Sequence, residues 1–150
     1  MRLTVTTPFS IVVDTGDVAH LRGEDATGAF GILPGHADFL TVLAISVVSW
    51  TDGQGAEHHA AVRGGVLEVR DGDTVSIATR EAVPGDDLKR LEEEVLSRFH
   101  TELSEEQTAR SDAQRLYLAA IRQIYRFLRS ERQPLGSGTL SADRTGGGEP

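Results

Sequence analysis

At 150 residues, with hydrophobic residues at 39% and charged residues at 25%, the chain has the composition of one domain, or of one small domain with an appendage. Its net charge of −8 sets it against nucleic acid and anionic lipid as general partners. The absence of cysteine excludes disulfides, thiolate catalysis and cysteine-ligated zinc. Aromatic residues make up only 5%, so the core has to be built from Val, Leu, Ile and Ala.

The elements come in two kinds. Met1 to Thr7 alternates polar and apolar residues, which predicts a strand and lacks the apolar run of a signal peptide. Ile11-Val12-Val13 predicts a second strand, ended by the turn cluster Asp14-Thr15-Gly16-Asp17, and Val18 to Arg22 a third. Leu40 to Trp50 holds one or two strands; it is broken by Thr41, Ser46 and Ser49 and falls well short of the ~20 residues a membrane span needs. Membrane association is therefore expected only through a partner. Val66 to Val69 and Val75 to Ala78 flank Asp71-Gly72-Asp73, a hairpin signal. Many short strands at close spacing predict a sandwich or barrel.

Pro84-Gly85-Asp86-Asp87 marks a change of period. Leu88, Leu91, Val95 and Phe99 then recur at helical spacing, with Asp86 or Asp87 as the cap. Ser104-Glu105-Glu106-Gln107 and Ser111-Asp112-Ala113-Gln114 both have the form of capping boxes, so one of them is expected to open a second helix with Tyr117, Ile121, Ile124 and Leu128 as its apolar stripe. Two helices joined this way predict an antiparallel hairpin, stopped at Gln133-Pro134. The fold class is thus α+β: a β domain over 1–84, a helical hairpin over 85–132 and a disordered Gly/Ser/Thr-rich tail over 133–150.

Catalytic chemistry has no anchor. Gly28, Gly31 and Gly35 are too loosely spaced for a phosphate loop and no lysine comes after them at the needed spacing. His58 and His59 are adjacent on a strand, so they point to opposite faces and suit a surface role better than a shared metal. Glu92-Glu93-Glu94 fan around a helix axis as a solvated face. No catalytic residue, metal or cofactor is expected. Charge is more telling. Asp86 to Gln107 carries eight acidic side chains against Lys89, Arg90 and Arg98, a net of −5, whereas Arg115 to Arg132 carries five arginines against Glu131, a net of +4. Arg115, Arg122, Arg126 and Arg129 fall on one helical face, suited either to solvation or to an acidic or phosphate-bearing partner.

Gly28 to Thr41 (Gly-Ala-Phe-Gly-Ile-Leu-Pro-Gly-His-Ala-Asp-Phe-Leu-Thr) resembles the signature loop of the epsilon subunit of F-type ATP synthases, whose Gly-Ile-Leu-Pro-Gly-His core stands complete here from Gly31 to His36. Thr7-Pro8, Val18 to Leu21, Arg63 to Val69 and Thr74 to Ala78 agree in order and spacing, so the resemblance spans roughly residues 2–132. It implies a flattened β-sandwich of about ten strands, held on the gamma subunit and standing on the c-subunit ring. Gly31, Ile32, Leu33, Pro34, Gly35 and His36 would lie at the ring end. It implies a non-catalytic rotor part of the central stalk that couples ion flow to the alpha/beta catalytic head, placed peripherally on the cytoplasmic face of the bacterial cell membrane. It further implies a helical hairpin able to extend and block ATP hydrolysis, a contact to which Arg115, Arg122, Arg126 and Arg129 are suited. Some members also bind ATP through an apolar-Asp-x-x-Arg-Ala motif. Here Asp87 and Arg90 match it, but Asp86 replaces the apolar residue and Leu91 the alanine, departures that a divergent lineage would show. The alternative reading is a free-standing ATP-sensing module.

Overall fold

The computed structural model describes residues 1–130, and the tail expected over 133–150 lies outside them. The strands are β1 (Arg2–Thr6), β2 (Ile11–Thr15), β3 (Val18–Asp25), β4 (Gly28–Ile32), β5 (Phe39–Asp52), β6 (Glu57–Arg70), β7 (Thr74–Ala78) and β8 (Ala82–Gly85). After them come α1 (Leu88–Arg90), a π-helical turn (Leu91–Val95) and α2 (Leu96–Ser130).

β5 and β6 explain the architecture. Each is a single 14-residue strand, and they pair antiparallel along nearly their whole length, from Phe39 against Val69 to Thr51 against Glu57. Their Phe39–Leu43 and Gly65–Arg70 halves carry β7, β1 and β2, with β1 parallel to β7. Their other halves carry β3 and β4 on one side and β8 on the other. The bend between the halves falls at Gly64 (φ +66°) and Gly65 (φ +122°). A Cβ at Gly65 would come within 2.2 Å of the Ala78 carbonyl oxygen, so no other residue fits that crossing. Eight strands therefore make the β-sandwich where about ten were expected, because β5 and β6 each take the place of two shorter strands.

Alternation places Leu3, Val5, Leu67, Val75 and Ile77 from one layer against Leu21, Ile32, Val48, Ala60 and Val62 from the other, all fully or almost fully buried. Burying each of the larger side chains contributes about 1.5–3 kcal/mol.

Residues Met1–Glu106 form one compact unit, so the sandwich includes the root of the helix. Asp87 caps it by accepting the Arg90 amide at 3.2 Å. In an unbroken α-helix, eight residues overshoot two turns by about 80°. The wider π turn takes up that excess, and both Leu91 and Phe99 pack on Ala61, with Ile45, Val47 and Val83 around them. This root covers the outer side of the β5–β6–β8 layer.

The predicted hairpin is not present among the described residues: a single α2 runs through both capping-box motifs. No Gly or Pro lies between Leu88 and Ser130 to break it. One of the two hydroxyls expected as caps, that of Ser111, instead turns back inside the helix, its Oγ donating to the Gln107 carbonyl at 3.0 Å. The second unit begins at Gln107; its described part, to Ser130, is a helix whose side chains from Gln107 to Arg129 are all exposed except Ile121, which is half-buried. No helix among the described residues is long and apolar enough to cross a membrane.

Candidate functional site

The signature segment is built as a tight turn at one end of the sandwich. Ile32 ends β4 fully buried and anchors it. The His36 amide donates to the Leu33 carbonyl at 3.1 Å across Pro34-Gly35, with Gly35 at φ +85°, the form of a type II turn. The Gly35 amide donates to the Gly72 carbonyl at 2.7 Å. Gly72 (φ +67°) comes directly after Asp71 (φ 55°) in the β6–β7 turn, and a Cβ on Gly72 would lie 3.0 Å from Gly35 Cα. The two turns thus meet backbone to backbone. Asp38 Oδ1 accepts the Asp71 amide at 2.9 Å and fastens the far side of the loop. The His36 ring lies edge-on to Phe39 at 5.7 Å, and Phe39 to Phe30 at 5.6 Å. Leu33 is left 58% exposed at the tip.

Beside this end runs an apolar face that sequence reading did not single out. Leu40, Val42 and Val66 are 67%, 69% and 41% exposed, and Val42 and Val66 are direct cross-strand partners. Val66 pairs with Ala78, Ala78 with Thr6, and Thr6 with Ile11, itself 64% exposed. Side chains paired in this way share one side of a sheet, so the β5–β6–β7–β1–β2 layer has an uncovered apolar outer face. The signal was available: Leu40 and Val42 are apolar in phase with the half-buried, charged Glu68 and out of phase with the buried Leu67 and Val69.

The arginines belong to neither of these two features. Arg115, Arg122, Arg126 and Arg129 are all exposed on α2. Arg115 makes a loose ion pair with Asp112 at 3.9 Å, worth little in solvent. Their strip borders exposed Tyr117, Ile124, Tyr125 and Leu128, so this helix half is amphipathic with neither face covered by the described residues. Asp87 and Arg90 are close together but already engaged: Asp87 caps the helix, and Arg90 Nε meets Glu94 Oε2 at 3.1 Å. Leu91, at the position of the motif's alanine, is buried against Gly85 and Phe99.

Of the two histidines expected at the surface, the His58 side chain is 40% exposed beside the turn and His59 is not. His59 is buried, its Nδ1 2.8 Å from Ser49 Oγ, while His58 stacks on Trp50 at 5.6 Å and bonds Asp52 at 3.1 Å. That bond from His58, with the Ala56 and Gln54 amides, holds the Asp52 carboxyl below its ordinary range. These contacts secure the β5–β6 turn. Among the described residues, no group of three or more His, Asp or Glu is placed to hold a metal ion.

Residues 1–85 match the family model for the ATP synthase delta/epsilon chain β-sandwich domain. The chain is 42% identical over 132 residues to ATP synthase epsilon chain 2 of Paraburkholderia xenovorans, covering 88% of this chain and 95% of that one. It is 42% identical over 128 residues to ATP synthase epsilon chain 2 of Cereibacter sphaeroides, covering 85% and 88%. Among solved structures it is similar, at 27% identity and a TM-score of 0.54, to a chain in the Euglena gracilis mitochondrial ATP synthase assembly of OSCP, F1 and c-ring. That match covers 71% of this chain and 62% of the other, under two thirds of its length.

Proposed function

This chain belongs to the ATP synthase epsilon-chain family, and from that premise we propose that it works as a non-catalytic rotor subunit, coupling rotation of the c-subunit ring to the catalytic head through the gamma subunit. The observation that carries the reading is the uncovered apolar outer face at Ile11, Leu40, Val42 and Val66. Its counterpart on the other layer is covered by the chain's own helix root. A sheet that leaves such a face open in water is completed by a partner. We assign that face to gamma and the Gly31–His36 turn to the ring. Turn-to-turn docking makes the loop a stiff projection rather than a mobile one, which suits transmission of torque. Membrane association, on the cytoplasmic face of the bacterial cell membrane, then comes through the complex alone.

The test is copurification. Leu40→Asp with Val42→Asp places two charges on the open face without touching the core, so it should abolish recovery with gamma and the c-subunit ring while Trp50 fluorescence stays native. Full recovery with both partners would refute the assignment.

A brake on ATP hydrolysis is the second part of the proposal. It is supported by the exposed Arg115, Arg122, Arg126 and Arg129 beside an uncovered apolar stripe, which fits an acidic helical surface on the catalytic subunits. Nucleotide sensing through Asp87 and Arg90 is the rival use of the helical region. The capping bond of Asp87 and the burial of Leu91 give both positions a structural role without a ligand. Calorimetric titration of the isolated chain with ATP and magnesium separates the two: tight binding that Arg90→Ala abolishes would establish the sensor.

A further inference from the structure

The family resemblance treats everything after Gly85 as one movable body, but the contacts at the helix root divide it differently. Arg63, on β6 next to the Gly64-Gly65 bend, is only 13% exposed. Its Nη1 lies 3.2 Å from Glu102 Oε2 and its Nη2 2.7 Å from Glu106 Oε1. The other Glu106 oxygen meets Arg80 Nη1 at 3.2 Å. In the opposite sense, Arg98 of α2 reaches Glu81, in the link between β7 and β8, at 2.6 Å. The pairs therefore cross: two strand-side arginines hold helix glutamates, and a helix arginine holds a strand-side glutamate. Beneath them Phe99 is fully buried.

We propose that this Arg63 clasp locks residues 88–106 into the sandwich as a permanent part of it, so that any rearrangement of the C-terminal helix begins beyond Glu106. Lifting the root would break the ion pairs of Arg63 with Glu102 and Glu106, of Arg80 with Glu106 and of Arg98 with Glu81, and would expose the apolar patch at Ala61 and Phe99 together. From Gln107 to Arg129 no side chain is buried, so movement there gives up none of these contacts. Arg63 also holds the Glu106 carboxyl below its ordinary range, with burial opposing and Arg80 assisting. The Glu106 carboxylate of the clasp therefore stays charged at neutral pH. It acts within the isolated chain and does not depend on the role proposed for the chain in a complex.

Hydrogen exchange of the full-length chain tests it. Amides of residues 92–106 should exchange at least about tenfold more slowly than those of 110–129. Glu102→Gln with Glu106→Gln removes the helix side of the clasp and leaves the strands untouched. It should raise exchange over 92–106 several-fold, with β5 and β6 protection unchanged. Arg63→Gln should do the same, and where it also unfolds strands the double glutamate variant decides. Equal exchange on both sides of Glu106 in the unaltered chain would overturn the proposal, and so would a double variant with unchanged exchange.

Discussion

Phe99→Ala measures how far the helix root belongs to the sandwich. The ring is fully buried among Ala61, Leu91, Ile45, Val47, Val83, Val95 and Leu96, and Arg98 lies over it at 5.2 Å. Truncating a buried Phe costs about 3–5 kcal/mol. Losing the Arg98 contact adds about 0.5–1 kcal/mol, and the better helix propensity of Ala returns roughly the same amount. The net of about 4 kcal/mol is a large share of a typical domain's stability of about 5–15 kcal/mol. At a slope of about 1–3 kcal/mol per molar urea it lowers the unfolding midpoint by roughly 2 M. Trp50 is 7% exposed in the sandwich core and reports the transition by fluorescence. The control is Phe127→Ala, the same exchange on the same helix at a site 67% exposed, with an expected change within about 0.5 kcal/mol. If the two variants shift the Trp50 midpoint equally, the root is not part of the sandwich's cooperative unit and the packing argument fails.

The docked turns can be separated from the conformational demand of their glycines: Gly35→Ala, with open space at the Cβ, should cost about 1–2 kcal/mol from its positive φ alone. Gly72→Ala should cost more, because its Cβ meets Gly35 Cα at 3.0 Å; equal losses in thermal midpoint would argue against the backbone contact. The Asp25 carboxyl accepts from the Thr27 hydroxyl, the Thr41 hydroxyl and the Thr27 amide, which depresses its pKa. A depressed folded-state pKa contributes stability that is present above the unfolded value and lost as pH falls through the folded one. Denaturation should therefore grow easier in acid below the ordinary carboxylate range, and Asp25→Asn should flatten that dependence; an unchanged profile would remove Asp25 from the cause. Ending the chain after Glu106 should keep the sandwich folded and assembled while raising ATP hydrolysis by the complex, whereas ending it after Gly85 should also destabilise the sandwich. No rise in hydrolysis on either truncation would sink the brake.

The readable parts of this fold were those with local causes. Leu3 and Val5, the Asp71-Gly72 turn and the Val75–Ile77 alternation each signal a strand or hairpin within a few residues, and each is there. The first half of β6 was hidden because Ala60, Ala61 and Val62 are all buried, two toward the core and one under the helix. A strand covered on both sides loses its alternation. β8 was hidden by its brevity and by Pro84. The expected hairpin failed for a related reason. Ser-x-x-Gln has the form of a helix start, yet Ser111 bonds backward to Gln107 inside a helix that nothing interrupts. The absence of Gly and Pro was the stronger signal. At the candidate site the Pro34-Gly35 turn was legible, but its docking on Gly72 was not, since no local pattern links residues so far apart in sequence.

The open and covered faces together imply that two functions sit on separable parts of the chain. One outer side of the sandwich is closed by the chain's own residues 88–106, and the clasp at Arg63 makes that closure independent of the helix beyond Glu106. The other outer side, with Ile11, Leu40, Val42 and Val66, is open and shares no residue with the arginine strip beyond Arg110. The two surfaces can therefore be altered by separate substitutions. Charge reinforces the division. Four of the root's glutamates, Glu93, Glu94, Glu102 and Glu106, are engaged by Arg63, Arg80, Lys89, Arg90 and Arg98. Arg115 has only the loose contact with Asp112, and the exposed arginines beyond it point their charge at solvent. That charge is left for a surface outside the described chain. On this argument, changing the open face costs assembly, and changing the arginine strip costs only inhibition within an assembled complex.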